Sequence, residues 1–215
     1  MARARKKSSF HHGDLRRALL DTVVEIMARE GPQAITLREV AARTGVTHAA
    51  PYRHFSSKEK LLAAVAEEGF RLMRAQMLEA MVRRGSDPLE RWEELGVSYV
   101  LFAVRQPCHF RLMYTAELAD RSEHAALRDA AAAAYRLLLD VVIESQERGR
   151  VRGGDPKQLA ATAWAMMHGL AVLLIDRQLG GGKVALDEAE AAARFASQTL
   201  RNGLQPAEAR PSRRR

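Results

Sequence analysis

Apolar residues recur along this chain of 215 residues at intervals of three and four, and that spacing predicts helix almost from end to end. Leu15, Leu19, Val23 and Ile26 share one face of a helix over about 14–29, which Gly31-Pro32 ends. Thr36 caps a second helix, Glu39 three residues later completes a capping box, and Leu37, Val40 and Ala41 form its buried side. A long helix follows over about 57–84, carrying Leu61, Leu62, Val65, Leu72, Met73 and Met77. Gly85-Ser86-Asp87-Pro88 breaks the pattern, and Pro88 suits the first position of the next helix, over about 88–105. Further helices are predicted over about 107–118, 122–148, 155–179 and 186–200. No run of alternating β-branched residues competes with them. The predicted fold is all-α, with about nine helices once the short segment after Gly45 is counted. There is no internal repeat, and no stretch of about 18 uninterrupted apolar residues that would predict a membrane span.

The segment from Thr36 to Phe55 reads as a helix-turn-helix, the device that sets a short helix into the DNA major groove. Gly45 supplies the backbone conformation that the tight turn needs, and Val46 plugs the angle between the helices. Thr47 is expected to cap the second, recognition helix, which frees that helix's first turn to meet phosphate or base edges. His48, Ala49 and Ala50 are small or polar, as a groove-entering turn requires. Pro51 lacks an N–H and is tolerated only near a helix start, so the recognition helix must be short. Phe55 is expected to be buried, with Tyr52 and His54 facing phosphate.

Charge reinforces this reading. Residues 1–60 hold 12 Lys and Arg against 6 Asp and Glu, whereas residues 61–200 hold 17 against 19. The formal excess of +8 therefore sits on the motif, on a basic arm with Arg5, Lys6 and Lys7, and on a short tail. The one cysteine, Cys108, excludes an internal disulfide framework and fits a reducing cytoplasm, and the basic N-terminus lacks the apolar stretch of a secretory signal. Gly180-Gly181-Gly182-Lys183 lacks the features of a phosphate-binding loop and reads as a helix connection. Neither His11-His12 nor Cys108-His109 has the partners of a metal site. Arg83-Arg84 and Glu93-Glu94 read as solvated helix faces. No nucleophile–base pair is apparent, so no enzyme activity and no cofactor are expected.

The strings Ile35-Thr36-Leu37-Arg38-Glu39-Val40-Ala41, Thr44-Gly45-Val46-Thr47, Tyr52-Arg53-His54-Phe55 and Ser57-Lys58-Glu59-Lys60-Leu61-Leu62 resemble the DNA-binding domain of the TetR (tetracycline-repressor-like) family. The resemblance implies a three-helix DNA-binding domain followed by a larger all-α domain that binds a ligand and dimerises. Its expected boundaries are a basic arm over 1–12, the helix-turn-helix domain over 13–60, the ligand-binding and dimerisation domain over 61–202, and a basic tail over 203–215. Carried over by position, Thr36, Tyr52, His54 and Lys58 would touch phosphate, and Thr47, His48 and Ala49 would lie nearest the bases. Arg38 and Arg53 complete the expected DNA-binding set. Pro51 departs from the family, where many members carry leucine. Trp164-Ala165-Met166-Met167-His168-Gly169-Leu170 also resembles the Trp-x-x-x-His-Gly signature of one subgroup, as does Arg105-Gln106-Pro107 with Phe110 to Tyr114.

A ligand pocket in such a domain would be mostly apolar with a few polar groups. Its candidate lining is Trp92, Tyr99, Phe102, His109, Phe110, Met113 and Tyr114, with Trp164, Met167 and His168 from the signature helix. This set favours a bulky apolar or aromatic ligand, although each residue taken singly is more simply read as core. The helix at 155–179 is apolar nearly all round, and the last helix carries Ala189, Ala193, Ala196 and Leu200 at close-packing spacing. Both features predict a homodimer through the last two helices, matching a palindromic double-stranded DNA operator. The expected function is that of a cytoplasmic repressor released by a small molecule. The alternative is a DNA-binding regulator without such a ligand, controlled by a partner protein or by its own abundance.

Overall fold

The computed structural model describes residues 12–179, 182 and 184–204. The basic arm with Arg5, Lys6 and Lys7, the His11-His12 pair, the Gly180–Lys183 loop and the tail after Leu204 lie wholly or partly outside these. Among the described residues the regular elements are eight α-helices and three short 3-10 turns, with no strand. The α-helices are α1 (His12–Glu30), α2 (Leu37–Thr44), α3 (Lys58–Arg83), α4 (Pro88–Arg105), α5 (Pro107–Met113), α6 (Ala125–Glu147), α7 (Pro156–Ile175) and α8 (Leu186–Leu204). The all-α expectation is met. The expected ninth, the recognition helix, is not an α-helix. Its place is taken by a turn over residues 48–50 and the 3-10 turn Pro51–Arg53.

The reason is the missing proline amide. Pro51 cannot donate to Thr47, so the chain winds more tightly, with Ala50 N–H donating to Thr47 O at 2.9 Å and Arg53 N–H to Ala50 O at 3.2 Å. Regular i→i−4 bonding reappears only at Phe55, whose N–H reaches Pro51 O at 2.8 Å. The segment is still helical in sense, and Ala50 has α-helical dihedrals. The stretch predicted as one short helix over 107–118 likewise divides, into α5 and a 3-10 turn at Ala116–Leu118.

The chain forms two compact units. The first comprises the residues up to Gly69 together with Cys108–Arg128, and the second comprises Phe70–Pro107 and the residues from Asp129 onward. In the first unit Leu19, Val23 and Ile26 of α1, Ile35, Val40 and Ala41 around α2, and Leu61 and Val65 of α3 are fully buried. Phe55 closes this core at 4% exposure. In the second unit α4 packs along α7 and α8. Asp87 caps α4 through the Leu89 N–H at 2.9 Å, and Asp155 caps α7 through the Lys157 N–H at 2.9 Å, each ahead of a proline in the first turn. Gly96 lets α8 come close, for a methyl group there would lie 2.5 Å from Ser197 Oγ and 3.2 Å from Met167 Sδ. The facing positions on α8 are the buried Ala189, Ala193 and Ser197.

Helix α7 is, among the described residues, the one helix long and apolar enough to cross a membrane by length and composition. It presents Leu159, Ala160, Ala163, Met167, Ala171 and Leu174 to the interior, while Trp164 and Leu173 remain 38% and 37% exposed. The chain itself therefore covers only one side of an apolar helix.

Gly45 ends α2 at φ 76°, ψ 27°, in the left-handed region, and nothing lies within 4 Å of where its Cβ would be. A Gly45→Ala change thus acts through the backbone alone. It is expected to cost about 1 to 2 kcal/mol of stability in urea unfolding, and an unchanged midpoint would contradict this account of the turn.

Candidate nucleic-acid interface

Three local devices hold the helix-turn-helix. Thr36 Oγ1 accepts from the Glu39 N–H at 3.1 Å, which fixes the start of α2. The other half of the expected capping box is not made, because the Glu39 carboxylate is drawn to Arg43 at 2.6 Å. At the other end the Gly45 N–H donates to Ala42 O at 3.2 Å and the Val46 N–H to Ala41 O at 3.0 Å, the paired bonds of a Schellman turn. Beneath it, Thr22 Oγ1 lies 3.0 Å from Thr44 Oγ1 and ties α1 to the end of α2.

This scaffold leaves Thr36, Arg38, Thr47, His48, Ala49, Tyr52 and Arg53 exposed. Thr47 contributes its carbonyl to the turn, and its hydroxyl makes no hydrogen bond among the described residues, so its side chain is not the expected cap. His54 is half-buried with its ring 6.3 Å from that of Phe55, less outward than the sequence suggested. Lys58 is half-buried and reaches Glu117 at 3.4 Å, a pair weak enough to be exchanged for a phosphate.

The arginines divide into two kinds. Arg43 is held between Glu30 and Glu39, both at 2.6 Å, and Arg17 between Asp21 at 2.7 Å and Glu68 at 2.8 Å. Arg38 and Arg53 have no ion pair or side-chain hydrogen bond among the described residues. Arg16, absent from the expected set, places its guanidinium 5.6 Å from the centre of the Phe55 ring and adds a cation beside the motif. Only the packing of α1 over Phe55 reveals it, since nothing in the spacing separates Arg16 from Arg17.

In the second unit Trp92, Tyr99, Trp164 and Met167 line one apolar cavity of about 40 Å³, with Met77 and Gly96. The Trp164 indole N–H donates to the Tyr99 hydroxyl at 3.2 Å, and that hydroxyl lies 2.8 Å from His168 Nδ1. An indole can only donate, so the hydroxyl accepts from it and is free to offer its own proton to the imidazole. Tyr135 meets the Trp164 ring edge-on at 6.4 Å. Phe102 is fully buried. The other expected pocket residues, His109, Phe110, Met113 and Tyr114, belong to the first unit and do not join this lining. There His109 is buried, its Nε2 3.8 Å from Glu68, and neither ring nitrogen has a hydrogen-bond partner among the described residues.

Residues 19–65 match the profile of the bacterial regulatory proteins of the tetR family, and residues 92–200 match that of the tetracyclin repressor-like C-terminal domain. The chain belongs to the TetR family. An HTH-type transcriptional repressor of Mycobacterium tuberculosis is 34% identical over 77 residues, which are 35% of this chain and 41% of that protein. The match to the mycobacterial relatives thus spans about two fifths of their length. A solved protein of unknown function from Rhodococcus sp. RHA1 is 32% identical, with 93% of this chain and 100% of that one covered and a TM-score of 0.78. The ketosteroid transcriptional regulator KstR2 of Mycobacterium tuberculosis is 19% identical over 94% of this chain and 98% of its own, and with a TM-score of 0.67 it shares the fold. This TetR-family chain is therefore a transcriptional regulator with a DNA-binding helix-turn-helix.

Burial pushes the His168 imidazole below its ordinary value of 6.5, and burial does the same to His109 against the opposing pull of Glu68. The unfolded chain, keeping the ordinary value, takes up these protons first as pH falls. The stability tied to the neutral imidazoles is thus fully present above about pH 7 and is lost as pH drops through 6.5 towards the lower folded values. Urea midpoints are expected to fall between about pH 7.5 and about pH 5.5, and His168→Gln and His109→Gln should each shrink the fall. A midpoint that is flat across this window would refute the assignment.

Proposed function

We propose that this chain is a repressor that binds a palindromic operator as a homodimer and is released by a small apolar or aromatic ligand. The observation that carries the DNA half is the exposed set on the helix-turn-helix, with Arg38 and Arg53 unpaired among the described residues while Arg43 is held by Glu30 and Glu39. Thr36, Tyr52, His54 and Lys58 would hold phosphate, with the basic arm adding Arg5, Lys6 and Lys7. Thr47, His48 and Ala49 would face the base edges. These residues are small or neutral, so the phosphates supply most of the affinity and a few contacts the sequence preference. The name of the Mycobacterium tuberculosis relative supports repression.

The homodimer is supported by what the second unit leaves uncovered. Trp164 and Leu173, which flank the buried stripe of α7 on opposite sides, and Phe195 on α8, the last 74% exposed, are apolar side chains that the described residues leave open. A second copy pairing its last two helices with these would cover them and match two recognition segments to two half-sites about 34 Å apart or a multiple of it.

A cavity of about 40 Å³ is too small for an organic molecule, which needs roughly 300 Å³ or more. The ligand would bind a wider conformation, with Met77 and Met167 yielding as unbranched side chains do. Operator affinity would then fall by no more than the ligand's preference for that conformation. The same tightness favours a second reading, a bacterial cytoplasmic regulator with no small ligand, governed by a partner protein or by abundance. A thermal-shift screen with apolar and aromatic compounds separates the two. Under the first reading, a compound that raises Tm must also loosen the operator complex.

Mobility-shift titrations on operator fragments selected from random DNA are expected to weaken steeply with salt. Each phosphate neutralised contributes about 0.9 to the slope of log affinity against log salt. Arg38→Ala and Arg53→Ala should each flatten the slope by about 2 per dimer, whereas Arg43→Ala should leave it nearly unchanged. Equal slopes for all three would sink this assignment of the arginines. Leu173→Glu and Phe195→Glu alter only half-covered or exposed positions of one chain. Sedimentation should show each weakening association by about a hundredfold, and dimers of undiminished strength would remove α7 and α8 from the interface.

A further inference from the structure

The second unit contains a larger and chemically different cavity, a polar groove of about 750 Å³ walled by α3, α4 and α8. Its volume is in the range that holds organic ligands, which that of the apolar cavity is not. At one end the buried carboxylate of Glu94 is gripped by Arg84 at 2.9 Å and Arg194 at 2.8 Å. Arg194 also binds Glu190 at 2.7 Å, and Arg83 binds Glu79 at 2.7 Å. Every glutamate in the lining is therefore engaged by an arginine. Eleven residues further along α4, about 16 Å at helical rise, the lining includes Arg105 at the other end. Its side chain makes no ion pair or hydrogen bond among the described residues. Between the two ends the floor is Val97 and Leu101, with the Ser98 hydroxyl, which also makes no hydrogen bond there.

We propose that this groove binds an elongated organic anion, with its acidic head on Arg105 and its apolar body along Val97 and Leu101. The sign of the ligand follows from the pairing. The lining holds four arginines, Arg83, Arg84, Arg105 and Arg194, against three glutamates, each already engaged by an arginine, so it carries net positive charge, and Arg105 is the guanidinium whose donors are unspent among the described residues. The Ser98 hydroxyl, one helical turn before Leu101, gives a second polar point along the body. The site is distinct from the apolar cavity of Trp92, Tyr99 and Trp164, and it does not depend on whether its occupant acts on DNA binding.

The test is calorimetric titration of the full chain with decanoate below its micellar concentration, alongside decyltrimethylammonium and inorganic phosphate. Decanoate is expected to bind and to raise Tm, and neither comparison compound should match it. Arg105→Gln, at an exposed position, should weaken decanoate binding by about tenfold, while Trp164→Ala should leave it nearly intact. Equal binding of the ammonium compound would mean simple apolar adhesion and overturn the site. Binding that survives Arg105→Gln but is lost with Trp164→Ala would move the ligand to the apolar cavity and overturn it equally. Decanoate that binds in an Arg105-dependent way yet leaves operator affinity unchanged supports the groove and counts against its use as an effector site.

Discussion

A left-handed backbone at Gly45 turns two amide hydrogens, its own and that of Val46, back onto the carbonyls of Ala42 and Ala41. With both carbonyls satisfied, α2 can stop within one residue and the chain can reverse without burying an unpaired polar group. What the motif offers after α2 hangs from that reversal. Thr47, His48 and Ala49 follow it directly, before any regular helix resumes. Pro51 then imposes the second constraint, because with no N–H to give it holds the segment to 3-10 winding until Phe55. Phe55 fixes the far end by its burial. A recognition segment pinned at both ends over so few residues has little freedom to adapt, so its contacts to bases would be set by its geometry.

The second unit is governed by a surplus of apolar surface instead. The Asp155-Pro156 start and the apolar run after it make α7 a strong helix, but α4 and α8, with Tyr135 of α6 against Trp164, leave part of it open among the described residues. The close approach of α8 comes from small residues, Gly96 against Ser197 and Met167. Small residues bring backbones together but cover little, which leaves Trp164 and Leu173 partly open. Trp164 is also bound inward through the Tyr99 hydroxyl. One residue thus belongs both to the internal cavity and to the uncovered face, so a change in the cavity would be felt at that face without an intervening relay.

The parts of the fold that the sequence made legible are those written in local chemistry. Asp87-Pro88 and Asp155-Pro156 named the starts of α4 and α7, and Thr36 and Gly45 bracketed α2, because caps and turns are satisfied by residues close in the chain. What depended on competition between distant partners was not legible. Glu39 was expected to complete the capping box but is taken by Arg43. Arg84 and Glu94 looked like solvated faces and instead meet each other and Arg194. Helical spacing paired Trp164 with His168, yet the hydroxyl joining them comes from Tyr99, 65 residues from the tryptophan. Spacing also gave no sign that His109 to Tyr114 would lie in a different unit from Trp92 and Trp164.

The distribution of unpaired positive charge connects these observations. In the second unit glutamates engage many of the arginines, and Arg194 by itself meets Glu93, Glu94 and Glu190. In the motif the balance is arranged differently. Glu39 is the carboxylate next to Arg38 in sequence, but it points along the helix to Arg43, which Glu30 also holds. Adjacent residues on a helix do not face one another, whereas residues four apart do. The order Arg38-Glu39 with Arg43 thus spends the carboxylate on Arg43 and leaves Arg38 with no ion pair among the described residues. Exchanging Arg38 and Glu39 would keep the composition and the net charge, but it would turn the carboxylate outward and deprive Arg43 of its partner on α2. The motif's suitability for phosphate therefore resides in the order of those residues more than in the excess of +8 carried by the whole chain.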